Sequence, residues 1–376
     1  MKSRFLSFLF LLCSFSLFAQ RDTICRPDCN RIYIGGSVQY GFLWSHRYNM
    51  GHLVKKHIVS GELDVAFASD GDYCWNKPYH YPWTGVALHV IPLGNPDQLG
   101  TAIGLYPYIN FPLGKYDHRF KLNLRYGWGI GWLTKKFDPI DNHKNIAIGS
   151  HLNTCFTLRL NGMYKITDDH QLEFGLGITH FSNGASRLPN LGINLPMISA
   201  GYFFSSGARV CKRHTPEADA RNAHTESLLY DHRWHFVAML VAGANDIEPP
   251  GGRHFGVLNV VTTALRPTSR KHRFGGGIDI MYSQAVQHHL VYDSVNVNAI
   301  GATQLGAKFC YELVLGRLSL PGEIGVYLYS RYKDNGPIYN RFGLRYLATD
   351  HLLLSFTLKT HFAKAEYFEV GAGWRF

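Results

Sequence analysis

From Phe120 to Trp132 the chain alternates without a break. Phe120, Leu122, Leu124, Tyr126, Trp128, Ile130 and Trp132 share one parity; Lys121, Asn123, Arg125, Gly127, Gly129 and Gly131 share the other. Side chains point to alternate faces of a β-strand, so bulky apolar groups look one way and charges and glycines the other. The run covers 13 residues, against a usual strand length of roughly 5–6. Such a strand is long enough to cross an outer membrane at a tilt, with its apolar face on lipid and its polar face on a lumen.

The same pattern recurs along the chain. Ile32 to Phe42 opens the series, Val59 to Phe67 carries Ser60, Glu62 and Asp64 on its polar face, and Val86–Val90, Ile103–Phe111, Leu152–Leu160, Leu172–Ser182 and Leu195–Phe204 complete a first set of eight. A second set is expected at Trp234–Gly243, Phe255–Leu265, Arg273–Ser283, Ile300–Leu315, Ser319–Ser330, Arg341–Leu347, Leu352–Phe362 and Glu366–Phe376. The expectation is an all-β protein: one antiparallel transmembrane β-barrel of the outer membrane with roughly 14–16 strands, an even number being usual for bacterial barrels. Short connections at 113–118, 167–170, 316–318 and 348–350 fit periplasmic turns. Longer ones near 43–56, 134–145, 183–194 and 285–299 fit external loops. The connection at 69–82 breaks this rule. The final strand, Phe368-x-Val370-x-Ala372-x-Trp374-x-Phe376, resembles the C-terminal signal of outer-membrane barrel proteins.

Residues 1–19 read as a secretory signal peptide: two early cations, an apolar run from Phe5 to Phe18, then Ala19 before a polar residue. Residues 20–206 then hold the first eight strands, 207–232 a polar linker and 233–376 the remaining strands. Six cysteines stay in the mature chain, too sparse for a disulfide scaffold. Cys25 and Cys29 could pair near the new N-terminus, and no metal site is expected. The net charge of +11 suggests anionic partners. An exported chain without a basic cluster is a poor nucleic-acid binder, which leaves anionic lipid or lipopolysaccharide.

The strand from Leu172 ends in residues able to do chemistry. Leu172, Phe174, Leu176 and Ile178 share a face, and continuing the alternation puts His180 and Ser182 on it. In a membrane barrel that face looks into lipid, so the pair would sit at the bilayer edge. The residues alone allow an interfacial polar pair without chemistry. They also allow an esterase, in which His180 takes the proton of Ser182 as general base and Asn183 or Asn190 donates to a developing oxyanion. Arg187 reads equally as a solvated loop cation or as a clamp on phosphate.

Residues 180–194, His-Phe-Ser-Asn-Gly-Ala-Ser-Arg-Leu-Pro-Asn-Leu-Gly-Ile-Asn, resemble the active-site segment of the PagL-type lipid A 3-O-deacylases. The resemblance rests on His-aromatic-Ser-Asn and the following Pro-Asn, and extends at the level of the fold over about residues 31–206. It implies an outer-membrane hydrolase that removes an ester-linked acyl chain from lipopolysaccharide without metal or organic cofactor. Ser182 would be the nucleophile, His180 the base, and Asn194 the residue orienting His180. The family has Glu at that last position; Asn can fix a tautomer but brings no countercharge, so Asn194 implies a slower enzyme, one that borrows a carboxylate from elsewhere, or a pseudoenzyme. A fainter echo, Thr360-His361-Phe362, has Ala363 in place of Ser, and parity turns His361 into the lumen. The competing expectation is a porin or transport channel favouring anions through Lys121, Arg125, Arg159, Arg273, Asp279, Arg341 and Arg345; a structural or adhesive surface barrel is a third.

Overall fold

The structure, a computed structural model, describes residues 29–69, 75–114, 119–211, 230–293, 295–362 and 364–376. The expected signal peptide, Cys25 and most of the expected linker lie outside the described residues.

Eight strands form the first barrel: β1 (Cys29–Gly41), β2 (Ile58–Ser69), β3 (Trp83–Pro92), β4 (Thr101–Pro112), β5 (Phe120–Leu133), β6 (Leu152–Lys165), β7 (His170–Ser182) and β8 (Ile193–Phe204). Each pairs antiparallel with the next, and β8 returns to β1 with Phe204 opposite Ile34 and Met197 opposite Gly41. A short β9 (Arg209–Cys211) runs on along the start of β1, setting Cys211 opposite Cys29 in register. The second barrel holds β10 (His235–Asn245), β11 (Phe255–Pro267), β12 (His272–Ser283), β13 (Gln304–Leu315), β14 (Leu318–Tyr329), β15 (Ile338–Leu347), β16 (Leu352–His361) and β17 (Lys364–Arg375), closed by β10 against β17. A helix, α1 (Gln284–Tyr292), occupies part of the expected external loop 285–299.

The barrel class and the sixteen membrane strands match the sequence expectation; their closure does not. They form two barrels of eight, and among the described residues no strand of one pairs with a strand of the other. The lumens supply the physical reason. An eight-stranded barrel has an interior just wide enough to be filled by side chains, and each half carries its own set of opposite charges to fill it. In the first barrel Arg125 contacts Glu62 (2.9 Å), Asp64 (3.0 Å) and Glu173 (3.2 Å), while Arg159 reaches Glu62 at 2.7 Å. In the second, Arg341 contacts Asp279 (2.8 Å), Glu323 (3.0 Å) and Glu369 (3.1 Å), Lys308 joins Asp279 and Glu323, and Arg345 joins Glu312 and Glu323. Buried charge is tolerable only when paired and hydrogen-bonded in this way. Of the cations read as the lining of an anion channel, Arg125, Arg159, Arg273, Arg341 and Arg345 are held by carboxylates of their own lumen.

Outward residues follow the opposite parity. Phe174, Leu176 and Ile198 are more than half exposed on the barrel wall, as a lipid-facing surface requires. Trp128 is one exception, at 8% exposure. Its indole packs on Phe342, Phe356 and Phe368 of β15, β16 and β17, with ring centroids 5.5–6.5 Å apart. The barrels therefore stand side by side, β5 facing β15–β17.

The anomalous connection 69–82 has a place in this arrangement. Trp75 and Tyr79 pack on Leu315, and the Tyr79 hydroxyl donates to the Val314 carbonyl at 2.7 Å. Through Trp75 and Tyr79 the described part of this connection, 75–82, reaches the second barrel. At the opposite end the loops 42–57, 93–100 and 134–151 interlock. Asn95 donates to the Leu53 carbonyl (3.0 Å), Asn145 to the Gln98 carbonyl (2.9 Å), and Met50 and Leu53 are fully buried beneath them. That ordered cap frames the end of β7.

Candidate active site

His180 and Ser182 close β7 at its external end, and strand pairing determines what they meet. The β7/β8 register sets His180 directly opposite Asn194, close enough for cross-strand side-chain contact. His180 Nδ1 lies 2.6 Å from Asn194 Oδ1. Asn194 Nδ2 in turn lies 3.0 Å from His46 Nδ1, and His46 Nε2 lies 3.1 Å from the Leu191 carbonyl. The His180 ring also fits against Gly192, whose φ is +81°; a Cβ there would lie 2.8 Å from His180 Cε1. Only glycine combines that backbone with that approach.

Ser182 is 6% exposed. Asn190 Nδ2 donates to its Oγ at 3.0 Å and the Gly184 N–H does so at 3.2 Å, while the hydroxyl lies 3.3 Å from Asn190 Oδ1. Asn190 Oδ1 also accepts the Asn183 N–H at 3.1 Å. Thus two donors converge on the hydroxyl, one from a side chain and one from the backbone. The left-handed conformation of Gly184 (φ +62°) directs that backbone N–H toward Ser182.

The sequence-predicted residues therefore fall into two clusters. His180 and Asn194 form one hydrogen-bonded pair, and Ser182 and Asn190 form the other. Among the described residues no hydrogen bond joins His180 to Ser182; the Asn190 carboxamide occupies the hydroxyl instead. Asn183 turns its side chain away, donating to Ser150 Oγ (2.8 Å) and to the Arg187 carbonyl (2.9 Å), which braces the loop. Arg187 is neither a free loop cation nor buried: it donates to the Gly252 carbonyl at 3.2 Å, 3.9 Å from Asp246. His361 lies in the lumen of the second barrel, 3.0 Å from the Tyr327 hydroxyl. Among the described residues no group of His, Cys, Asp and Glu is placed to hold a metal ion.

Three contributors escape a linear reading: His46, the Gly184 N–H and Asp246. His46 was legible only through closure. Once β8 returns to β1, the loop after β1 must lie beside the start of β8, and the Trp44 N–H donating to the Asn194 carbonyl (2.9 Å) is the seam.

Comparison with known proteins bears on the family of the chain. The family model described as lipid A 3-O-deacylase (PagL) matches residues 63–203, and the model described as acyloxyacyl hydrolase, C-terminal domain, matches residues 232–376. Among solved structures, the outer membrane enzyme PagL is similar at 13% identity, over 44% of this chain and 97% of that one, with a TM-score of 0.31. A triple mutant of Rhodopseudomonas blastica porin is similar at 8% identity, over 92% and 100% of the two chains, with a TM-score of 0.18. No curated protein matches the chain. With one family model on each barrel, the chain belongs to the PagL-type lipid A deacylase family and is a β-barrel hydrolase of the outer membrane.

Proposed function

We propose that this enzyme cleaves an acyl ester of lipid A through Ser182 and His180, and the observation that carries the mechanism is the His180–Asn194 contact at 2.6 Å. With its Nδ1–H given to Asn194, His180 is left with an unprotonated Nε2, the form a general base needs. Ser182 lies two residues along the same face, and the proposed first step turns its hydroxyl away from Asn190 toward that nitrogen. The serine oxygen then attacks the ester carbonyl while His180 takes its proton. In this reading Asn190 Nδ2 and the Gly184 N–H, which now converge on Oγ, donate to the oxyanion, a contribution of about 2.7–4 kcal/mol per donor where one has been removed elsewhere. Collapse breaks the bond to the sugar oxygen, which takes the proton from His180 and leaves as the hydroxyl, and water then releases the fatty acid by the reverse sequence.

The location suits the substrate. Below the site the lipid-facing row of Phe174, Leu176 and Ile178 offers an apolar wall for an acyl chain, and in this reading Arg187, half-buried beside Asp246, is the cation that meets a phosphate. Asn194 leaves the imidazolium formed during the reaction without a countercharge, so turnover should be slow. Mass spectrometry of lipid A from cells carrying wild-type protein, Ser182→Ala or none tests the reading. Loss of one acyl chain with the wild type alone supports it; equal loss with Ser182→Ala sinks it.

A further inference from the structure

We propose that His46 is a positioning residue that fixes the tautomer of His180 through the amide of Asn194, an inference that rests on the role of His180 as base. An Asn side chain has a donor end and an acceptor end, and by itself it does not choose which one meets a histidine. If Nδ2 faced His180 Nδ1, His180 would accept there and carry its proton on Nε2, where it could not act as a base. A carboxylate has no such ambiguity. An enzyme using Asn therefore needs something that orients the amide.

The structure supplies it in three steps. The Leu191 carbonyl, 3.1 Å from His46 Nε2, can only accept, so Nε2 carries the proton of a neutral His46. His46 Nδ1 is then an acceptor, 3.0 Å from Asn194 Nδ2, which must donate. Asn194 Oδ1 is thereby turned to His180 and accepts its Nδ1–H at 2.6 Å. The opposite polarity would set the lone pair of His46 Nε2 against the Leu191 carbonyl and leave both unpaired. The other neighbour of His46 Nδ1, the Trp44 carbonyl, is 3.4 Å away, too long to compete on equal terms. The carbonyl of Leu191 thus sets the protonation of His180 through two intervening side chains. Gly192, next to Leu191, leaves room for the His180 ring, because a Cβ there would lie 2.8 Å from His180 Cε1.

Purified enzyme in detergent micelles, assayed on lipid A, gives the kinetic half of the test. His46→Phe removes the acceptor, and kcat should fall about fivefold to tenfold with KM unchanged, the scale of one net hydrogen bond. His46→Gln, whose carbonyl oxygen can accept from Asn194, should recover part of the loss. In an Asn194→Asp background both oxygens accept, so His46→Phe should change kcat by less than about twofold. The spectroscopic half needs no turnover: 15N-histidine NMR should show His180 protonated at Nδ1 in wild type and a mixture of tautomers in His46→Phe. An unchanged kcat and an unchanged His180 tautomer in His46→Phe would overturn the proposal. So would an equal kcat loss from His46→Phe in both backgrounds. Retained turnover in Ser182→Ala would instead remove the catalytic reading, and the NMR signature would still decide whether His46 sets the tautomer.

Discussion

Asp246, in the second barrel, accepts the Leu188 N–H of the first barrel's active-site loop at 3.2 Å, and its own N–H donates to the Ala185 carbonyl at 2.8 Å. The carboxylate is buried, and Phe368 lies against Gly184 from the same side. The loop that carries Gly184, Arg187 and Asn190 is thus anchored on a neighbour that contributes no catalytic group. Asp246→Ala should leave both barrels folded and lower kcat by about tenfold. That figure sits between the loss of one hydrogen bond and the roughly hundredfold cost of a 1 Å misplacement. A steady-state assay with a heat-modifiability gel as fold control checks it; unchanged kcat would make the contact incidental.

Position 194 gives a prediction with a sign. The network around His46 already selects the right tautomer, so Asn194→Glu adds only the countercharge. Hydrogen bonds to charged groups are worth about 1.5–3 kcal/mol against 0.5–1.5 for neutral ones, which corresponds to about a tenfold rise in kcat. Asn194→Ala should lower turnover below wild type, and Ser182→Ala should abolish it. If both substitutions at 194 leave kcat unchanged while Ser182→Ala removes it, another residue orients His180.

Much of this molecule was legible in the alternation of its strands, because lipid outside and a packed lumen inside impose opposite chemistry on neighbouring residues. The outward parity of Leu176 and the inward parity of Arg125 needed no structure. Closure was not legible, since a strand's pattern records which face is wet and not which strand lies beside it. Arg125 and Arg341 look alike as sequence, and only pairing shows that each answers the acids of its own half. The site divides in the same way. His180, Ser182 and Asn190 lie within 11 residues and formed a motif. Asn194 could be placed by family resemblance and by register, whereas His46 and Asp246 reach the site through closure and barrel contact.

The buried charges of each lumen depend on one another. Arg125→Leu would leave Glu62, Asp64 and Glu173 facing one another with Arg159 as the nearby compensating guanidinium. Breaking a buried ion pair by removing one partner costs about 3–5 kcal/mol. The first barrel of Arg125→Leu should therefore lose its compact, heat-resistant mobility at a clearly lower temperature or urea concentration than wild type. The Arg341→Leu variant should do the same to the second barrel. Equal resistance in both variants and wild type would mean that the networks are neutral filler.

Trp128 tests what holds the barrels together. Buried in water, a Trp→Ala change would cost about 3–5 kcal/mol, but lipid tails are as apolar as Phe342, Phe356 and Phe368, so solvent exclusion adds little between the barrels. What remains is aromatic packing, about 0.5–1.5 kcal/mol per ring pair, with polar anchors at both rims: Tyr79 on Val314 and Asp246 on Leu188. The prediction is that Trp128→Ala alone leaves the barrels docked, while Trp128→Ala with Tyr79→Phe and Asp246→Ala separates them. Fluorophores on the external loops of the two barrels, read by energy transfer in nanodiscs, would report it, with deacylation falling in step with transfer. Separation by Trp128→Ala alone would mean that the apolar seam dominates and the rim anchors follow it.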